Sequence, residues 1–214
     1  MSSYVFRYFN SPGLGETSRL MLIASGSKWT EENPEWPQEK ANQPIGRLPV
    51  LIEKYADGSP EFVISESGTI ERYLARNLGF FPSDPKKAVL QEQLRDQLAD
   101  ISVLYMQIMN GVNDTIKAKF NELIEKLTEV IPKALKANGS SIDPQGSGLT
   151  YIDFYIYSFF KAFIPFCAEK TPEYVDSFQS LCTPEVIKLI SNVNAEPSLQ
   201  SRVAEDKKVF TFLA

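Results

Sequence analysis

The sequence predicts a two-part protein, an α+β unit followed by an all-α half. The strand-like runs, which are rich in aromatic and β-branched residues, all lie before residue 66. After the segment FFPSDPKK, residues 80–87, apolar residues recur instead at spacings of three and four, which is typical of amphipathic helices. We therefore expect one domain over residues 1–80, a linker over 81–87 and a helical domain over 88–214.

Each element of the α+β unit has its own local signal. YVFRYF at 4–9 predicts the first strand, and ETSRLMLIASG predicts a helix that ends at Gly26. A short strand is expected near 29–32. LPVLIEKY and EFVIS flank the turn residues Asp57 and Gly58, and this pattern predicts an antiparallel hairpin. SESGTIERYLARNLG then predicts a helix, with Ser65 or Ser67 as its N-cap and Gly79 as its terminator.

The second half is predicted to contain two long amphipathic helices, a buried helix and two further helical segments. The apolar stripes of the long helices run over 90–108 and 120–135. LTYIDFYIYSFFKAFIPF is apolar on most faces, which favours a central position. Thr150 and Asp153 at its start have the spacing of a capping box, with Asp in place of Glu.

The composition excludes several classes of function. The net charge is −5 and Lys and Arg do not cluster, so a nucleic-acid partner is not expected. No apolar run approaches the ~18 residues of a membrane-spanning helix, and MSSYVFRYFN is not a secretory signal. We therefore expect a cytoplasmic protein without a membrane partner. Cys167 and Cys182 are expected to be reduced core thiols.

Histidine is absent from the chain, and this restricts the chemistry further. A Ser-His-Asp or Cys-His arrangement is impossible, and so is a histidine-ligated metal. With two cysteines, a nitrogen- and sulfur-ligated metal site is also excluded. Any reaction must use Tyr, Ser, Lys, Arg, a carboxylate or a cofactor.

Pro49 lies within RLPVL, at the start of a predicted strand. Proline lacks an N–H for the sheet, so one interpretation is a strand entrance. The other is a cis X–Pro turn that presents the backbone to a ligand. The dipeptide alone leaves both open.

Four segments, in order, resemble the cytosolic glutathione transferase superfamily, nearest its tyrosine-type, sigma-like classes. They are YFNSPGLGETSRLML, EWPQEK followed by PIGRLPVL, SESGTIERYLAR and GLTYIDF. The resemblance covers the whole chain. It implies a thioredoxin-like domain with a mixed four-stranded sheet, followed by an all-α domain. It also implies glutathione as co-substrate, no metal, small hydrophobic electrophiles as second substrates and a homodimer.

The resemblance makes Tyr8 the candidate catalytic residue, with Ser11 and Asn10 as alternatives because other branches use a serine or asparagine in this loop. A free thiol has a pKa of about 8.5, and the thiolate is the nucleophile. A charge-assisted hydrogen bond contributes about 1.5–3 kcal/mol. One phenol donor is therefore of the right strength to make the thiolate dominant at neutral pH.

The resemblance also implies the residues that bind glutathione. A cis bond before Pro49 would turn the Leu48 backbone toward the cysteinyl part. The remaining candidates are Glu66 and Ser67 for the glutamyl part, Trp36, Lys40 and Arg47 for the glycyl end, and Asp96 from the neighbouring subunit. Arg47 is equally expected as a solvated side chain. A solvated helix face likewise remains the alternative for Asp96.

The second substrate is expected between the two domains. Its candidate contacts are Leu14, Tyr105, Met106, Met109 and Phe212, although residues 105–109 are equally consistent with plain helix core. The predicted function is attack of glutathione thiolate on a hydrophobic electrophile. The alternatives are a glutathione-dependent isomerase and a non-catalytic carrier or structural protein of the same fold.

Overall fold

A computed structural model describes residues 2–111, 114–146 and 148–204 of the chain. Four strands form one mixed sheet in the order β2-β1-β3-β4. They are β1 Ser3–Arg7, β2 Trp29–Glu32, β3 Val50–Lys54 and β4 Phe62–Ser65. β1 is parallel to β2 and antiparallel to β3, and β3 is antiparallel to β4. The hairpin, the short strand and the mixed four-stranded sheet are thus confirmed.

Two helices cover one face of this sheet, α1 Glu16–Ala24 and α2 Ser67–Asn77. Leu20 and Leu74, one from each helix, pack with Phe6 and Leu51 in the same buried cluster. The prediction of a serine N-cap for α2 is wrong. Glu66 is the N-cap residue and has a φ of 74°, in the left-handed region, with no side-chain cap. The expected breaks are found at Gly26 and Gly79, which also have positive φ.

The helices of the second half pack around α5. They are α3 Pro85–Met109, α4 Asp114–Ala137, α5 Tyr151–Lys170, α6 Val175–Ser180, α7 Pro184–Ala195 and α8 Gln200–Val203. Short 3₁₀ turns lie at Gly13–Gly15, Lys40–Asn42, Pro172–Tyr174 and Pro197–Leu199. α6 was not predicted, and α3 begins inside the segment expected to be a linker. Within the described ranges, no helix is both long and apolar enough to span a bilayer.

The capping box at the start of α5 is confirmed. The Thr150 backbone N–H donates to an Asp153 carboxylate oxygen at 2.8 Å, and the Thr150 side chain accepts from the Asp153 backbone in return. Asp153 also accepts the Ser141 backbone N–H at 3.0 Å, so the same carboxylate holds the preceding loop. The Tyr151 N–H donates to the Phe80 carbonyl at 2.8 Å. The start of α5 is therefore joined directly to the end of the sheet unit.

A network of ion pairs around a buried carboxylate also joins the two halves of the chain. Glu16, the first residue of α1, is 0% exposed. Its carboxylate accepts from Lys161 Nζ on α5 at 2.6 Å and from Arg202 Nη2 on α8 at 2.6 Å. Burial alone would raise the pKa of the Glu16 carboxyl, but Arg202 and Lys161 hold it below its ordinary value of 4.5. The carboxylate is therefore charged at neutral pH.

We expect Glu16→Gln to lower the free energy of unfolding by about 3–5 kcal/mol at pH 7, because it leaves the buried Lys161 and the partly buried Arg202 without their counter-charge. The depressed pKa means that this stabilisation is present above pH 4.5 and is lost as the pH falls through the folded-state pKa. Urea unfolding between pH 7 and pH 3 measures the effect. The difference between parent and variant should shrink below about pH 4.5.

Glu185→Gln provides the matched control, because Glu185 pairs with an exposed Lys136 at 2.6 Å. A surface pair of this kind contributes about 0–1 kcal/mol. A Glu16→Gln loss that is as small as the control's, or that stays constant down to pH 3, would contradict the assigned role of the buried network.

Candidate active site

The candidate glutathione-binding residues lie at one edge of the sheet, because of how the strands are paired. Arg7 at the end of β1 is opposite Val50 at the start of β3, and Val50 is opposite Ser65 at the end of β4. Arg7 also aligns with Glu32 at the end of the parallel β2. The segments that adjoin these four strand ends therefore lie next to one another. They include Tyr8, Trp36, Leu48, Pro49, Glu66 and Ser67.

Tyr8 is held in a tightly defined position at this edge. Its side chain packs against two glycines of the 3₁₀ turn: a Cβ at Gly13 would lie 2.6 Å from the Tyr8 hydroxyl oxygen, and one at Gly15 would lie 2.6 Å from the ring. The Tyr8 hydroxyl oxygen accepts the Leu14 backbone N–H at 2.9 Å. The amide occupies the oxygen as an acceptor, so the hydroxyl proton remains available for donation.

The electrostatic surroundings keep the Tyr8 phenol protonated. Burial raises the pKa of Tyr8 above its ordinary value of 10.0, while the Leu14 N–H and the Arg19 guanidinium act in the opposite direction. Arg19 Cζ lies 5.5 Å from the centre of the Tyr8 ring. At neutral pH the phenol is therefore a hydrogen-bond donor, strengthened by an amide and a cation, and suited to stabilise an anion.

Arg19 also fixes the loop that follows Tyr8. Its guanidinium donates to the Phe9 carbonyl at 2.8 Å and to the Ser11 carbonyl at 2.7 Å. It forms an ion pair with Glu31 on β2 at 2.5 Å. The alternative catalytic residues, Asn10 and Ser11, both lie exposed in this loop. Sequence reasoning missed Arg19, whose only signal is a cation in a helix whose other residues are mostly apolar.

The Leu48–Pro49 peptide bond is cis, and Pro49 is buried. Within the described part of the chain, neither the N–H nor the carbonyl of Leu48 has a hydrogen-bond partner. Both groups lie at the entrance to β3, beside the end of β4. The geometry therefore offers one backbone donor and one acceptor to an extended ligand.

The start of α2 provides groups for an anion. Ser67 is the first residue of the helix, so its hydroxyl lies beside free backbone N–H groups. Helix N-termini bind carboxylates and phosphates through these groups and the helix dipole. The preceding residue, Glu66, is exposed, and its carboxylate lies 4.0 Å from Arg47 Nη1, which is exposed as well. The positive φ of Glu66 is uncommon for a residue other than glycine and is of the kind found at ligand sites.

Trp36 and Lys40 lie on the other side of Tyr8. The Trp36 ring meets the Phe9 ring edge-on at 5.5 Å, and Phe9 lies 5.3 Å from the Tyr8 ring. Residues 36–39 form a turn, and Lys40 begins the 3₁₀ turn that follows. The Lys40 side chain lies beside Gly46, one residue before Arg47. Lys40 thus lies beside the residue that precedes Arg47, whereas the Arg47 side chain itself lies 4.0 Å from the Glu66 carboxylate at the start of α2.

Asp96 has a partner within its own chain. Arg72 Nη2 donates to both carboxylate oxygens of Asp96, at 2.5 and 2.6 Å. Arg72 also lies 3.4 Å from the Gly68 carbonyl in the first turn of α2. Asp96 is therefore linked through Arg72 to the first turn of α2, and its carboxylate is on the exposed surface of α3.

The residues predicted for the second substrate are not all accessible. Leu14 and Met106 are 55% and 47% exposed, and Met109 is partly buried against the core. The prediction for Tyr105 is wrong: it is 0% exposed, and its ring lies among aromatic residues such as Phe120 and Phe178. Its hydroxyl is hydrogen-bonded to Thr171. Phe212 lies outside the described residues.

The arrangement supplies hydrogen-bond donors and cations to a ligand with carboxylates and a thiol. Across the described ranges, no group of three or more His, Cys, Asp or Glu side chains is placed to hold a metal ion. The chemistry that the geometry offers is stabilisation of an anion by Tyr8.

Comparison with known proteins gives consistent relatives, although no protein-family model matches the chain. Probable glutathione S-transferase 6 of Caenorhabditis elegans is 30% identical over 168 residues, which cover 73% of this chain and 78% of that protein. Hematopoietic prostaglandin D synthase of Gallus gallus is 26% identical over 216 residues, covering 97% and 98% of the two chains.

The fold has equally clear counterparts among solved structures. A Nu-class glutathione transferase from Haemonchus contortus is 25% identical to this chain and superposes with a TM-score of 0.70, over 95% of this chain and 97% of that one. The sheet, the helical half and the sequence likeness agree with one another. The chain belongs to the cytosolic glutathione transferase superfamily.

Proposed function

We propose that this protein is a glutathione transferase that holds the thiol of glutathione as a thiolate for attack on a hydrophobic electrophile. The observation that carries the proposal is the Tyr8 hydroxyl, whose oxygen accepts the Leu14 N–H at 2.9 Å while its proton has no acceptor among the residues that the structure describes. In this proposal, the Tyr8 hydroxyl donates a hydrogen bond to the glutathione sulfur. Tyr8 is the catalytic residue in this proposal, because it touches the reacting atom.

Glutathione lies along the sheet edge in an extended conformation. Its cysteinyl backbone pairs with the N–H and carbonyl of Leu48, next to the cis bond to Pro49. The glutamyl carboxylate binds at Ser67 and the α2 N-terminus, and the ammonium pairs with Glu66. The glycyl carboxylate is met by Trp36 and Lys40, while Arg47 remains beside the Glu66 carboxylate.

The strength of one hydrogen bond is sufficient for the proposed step. Lowering a thiol pKa from about 8.5 to about 6.5 requires roughly 2.7 kcal/mol of preferential stabilisation of the thiolate. A hydrogen bond to a charged group contributes about 1.5–3 kcal/mol. The Leu14 amide and the Arg19 cation, both acting on the Tyr8 phenol, strengthen its donation further.

The second substrate binds beside the thiolate, against Leu14 and the exposed side of α3 at Met106 and Met109. Thioether side chains adapt to varied shapes, which suits a broad apolar site. We assign glutathione binding to the domain over residues 1–80 and this site to the helical domain over 88–214. We further propose a cytoplasmic homodimer, in which Asp96 of one subunit approaches the glutathione of the other.

We expect Tyr8→Phe to lower kcat/KM for a chromogenic aryl halide about 10- to 100-fold, because it removes one charge-assisted hydrogen bond. The thiol of bound glutathione should then titrate near its free pKa of about 8.5. The measurement is the ultraviolet thiolate band as a function of pH, with calorimetry to show that glutathione still binds.

Tyr55→Phe is the matched control, because the Tyr55 hydroxyl donates to Glu53 and has no contact with Tyr8 among the described contacts. It should retain the parent rate. A Tyr8→Phe protein with full activity would transfer the role to Ser11 or Asn10, and Ser11→Ala and Asn10→Ala would then identify which one.

Gly13→Ala should lower kcat/KM by about 10–100-fold, because small displacements of a catalytic group have effects of this size. The new Cβ would lie 2.6 Å from the Tyr8 oxygen, at a φ of +39°. Gly58→Ala is the control: its φ is +78°, but no atom lies within 4 Å of the added Cβ. Equal activity of the two variants, measured with the same aryl halide, would argue against a requirement for a precisely placed phenol.

A glutathione-dependent isomerase is the second candidate, favoured by the full-length likeness to a prostaglandin D synthase. Such an enzyme returns the thiol at the end of each cycle, whereas conjugation consumes it. Counting free thiols during turnover therefore separates the two reactions. A non-catalytic carrier would bind apolar ligands and glutathione without producing a thiolate band.

A further inference from the structure

Glu16 is a charged side chain buried directly behind the loop that positions Tyr8. It is the first residue of α1 and follows immediately after the 3₁₀ turn Gly13–Gly15. The middle residue of that turn, Leu14, donates its N–H to the Tyr8 hydroxyl. Because Leu14 is only two residues before Glu16, a displacement of Glu16 also moves the amide that orients the phenol.

Two cations from distant parts of the sequence fix Glu16. Lys161 Nζ on α5 lies 2.6 Å from one carboxylate oxygen. Arg202 on α8 reaches both oxygens, with Nε at 3.0 Å and Nη2 at 2.6 Å. Lys161 is 8% exposed. Such a bidentate arrangement around a buried carboxylate specifies both its position and its direction.

The cations that contact this carboxylate come from three helices. α1 itself contributes Arg19, whose Nη1 lies 3.4 Å from Glu16 Oε2. α5 contributes Lys161 and α8 contributes Arg202. Glu31 on β2 is paired with the far side of Arg19. Arg19 in turn lies over the Tyr8 ring, so the network extends without a gap from α8 to the phenol.

We propose that Lys161 and Arg202 are positioning residues for the Tyr8 hydroxyl, which they hold in place through Glu16 and the Gly13–Gly15 turn. The inference rests on the proposed function and extends it to the helical domain. Neither cation contacts the sulfur. Their effect is to set where the Leu14 N–H points, and through it how well the phenol donates to the thiolate.

The test compares Lys161→Met, Arg202→Met and the conservative Arg202→Lys in the full-length protein. Lys136→Met is the matched control, because it breaks an ion pair of the same length, 2.6 Å, between α4 and α7. The readouts are the pH titration of the thiolate band with bound glutathione, kcat and KM for glutathione, and the melting temperature. Measurements are made where circular dichroism shows each variant to be folded.

We expect both methionine variants to raise the pKa of bound glutathione by about half to one unit, which from a parent pKa of about 6.5 corresponds to about a two- to fivefold fall in kcat/KM at pH 6.5. KM for glutathione should stay within about twofold, because the contacts that bind it are untouched. Arg202→Lys should restore much of the loss, and Lys136→Met should leave the titration unchanged. Arg202, which is partly exposed, keeps the test available if Lys161→Met does not fold.

Two negative results have different meanings. If Lys161→Met and Arg202→Met lose melting temperature but keep the parent thiol titration, the cations are structural only and the inference is overturned. If the parent protein itself shows no thiolate band with glutathione, the proposed function fails and the inference fails with it.

Discussion

The structure depends on a carboxylate that is closed off from water. Removing Glu16 from solvent carries a desolvation cost that only well-placed cations offset. Lys161 and Arg202 supply them from positions 145 and 186 residues further along the chain. Because each charge must stay in place for the others to be compensated, this one group fixes α1, α5 and α8 relative to one another. The sheet unit and the helices therefore form one packed body around it.

The same packing holds the residues of the candidate active site in place. Tyr8 is 6% exposed, with glycines against its ring and hydroxyl, an amide on its oxygen and a guanidinium over its face. These groups are held by the protein's own contacts, so little reorganisation is required when a sulfur anion binds. Preorganised donors of this kind are the most effective form of electrostatic stabilisation.

The sequence allowed prediction of the features whose causes are local. The hairpin at Asp57 and Gly58, the helix break at Gly79 and the Thr150–Asp153 capping box are set by residues within a few positions of one another. The N-cap at Glu66 could not be predicted, because its left-handed backbone is imposed by the end of β4 rather than by a favourable side chain. The pairing of Glu16 with Lys161 and Arg202 joins residues too far apart for any periodicity to indicate.

The burial of Tyr105 illustrates how helix periodicity determines which side chains are exposed. The buried positions of α3 are Gln91, Leu94, Leu98, Ile101, Tyr105 and Ile108. Neighbouring residues on a helix differ in direction by about 100°, so once Tyr105 completes this stripe, Met106 must point outward. The proposed thiol side of the site is thus built from locked groups, whereas the proposed second-substrate side presents the exposed side chains of Leu14 and Met106. A rigid nucleophile site beside an adaptable apolar surface is the division that a conjugating enzyme with varied electrophiles requires, because only the sulfur needs one fixed geometry.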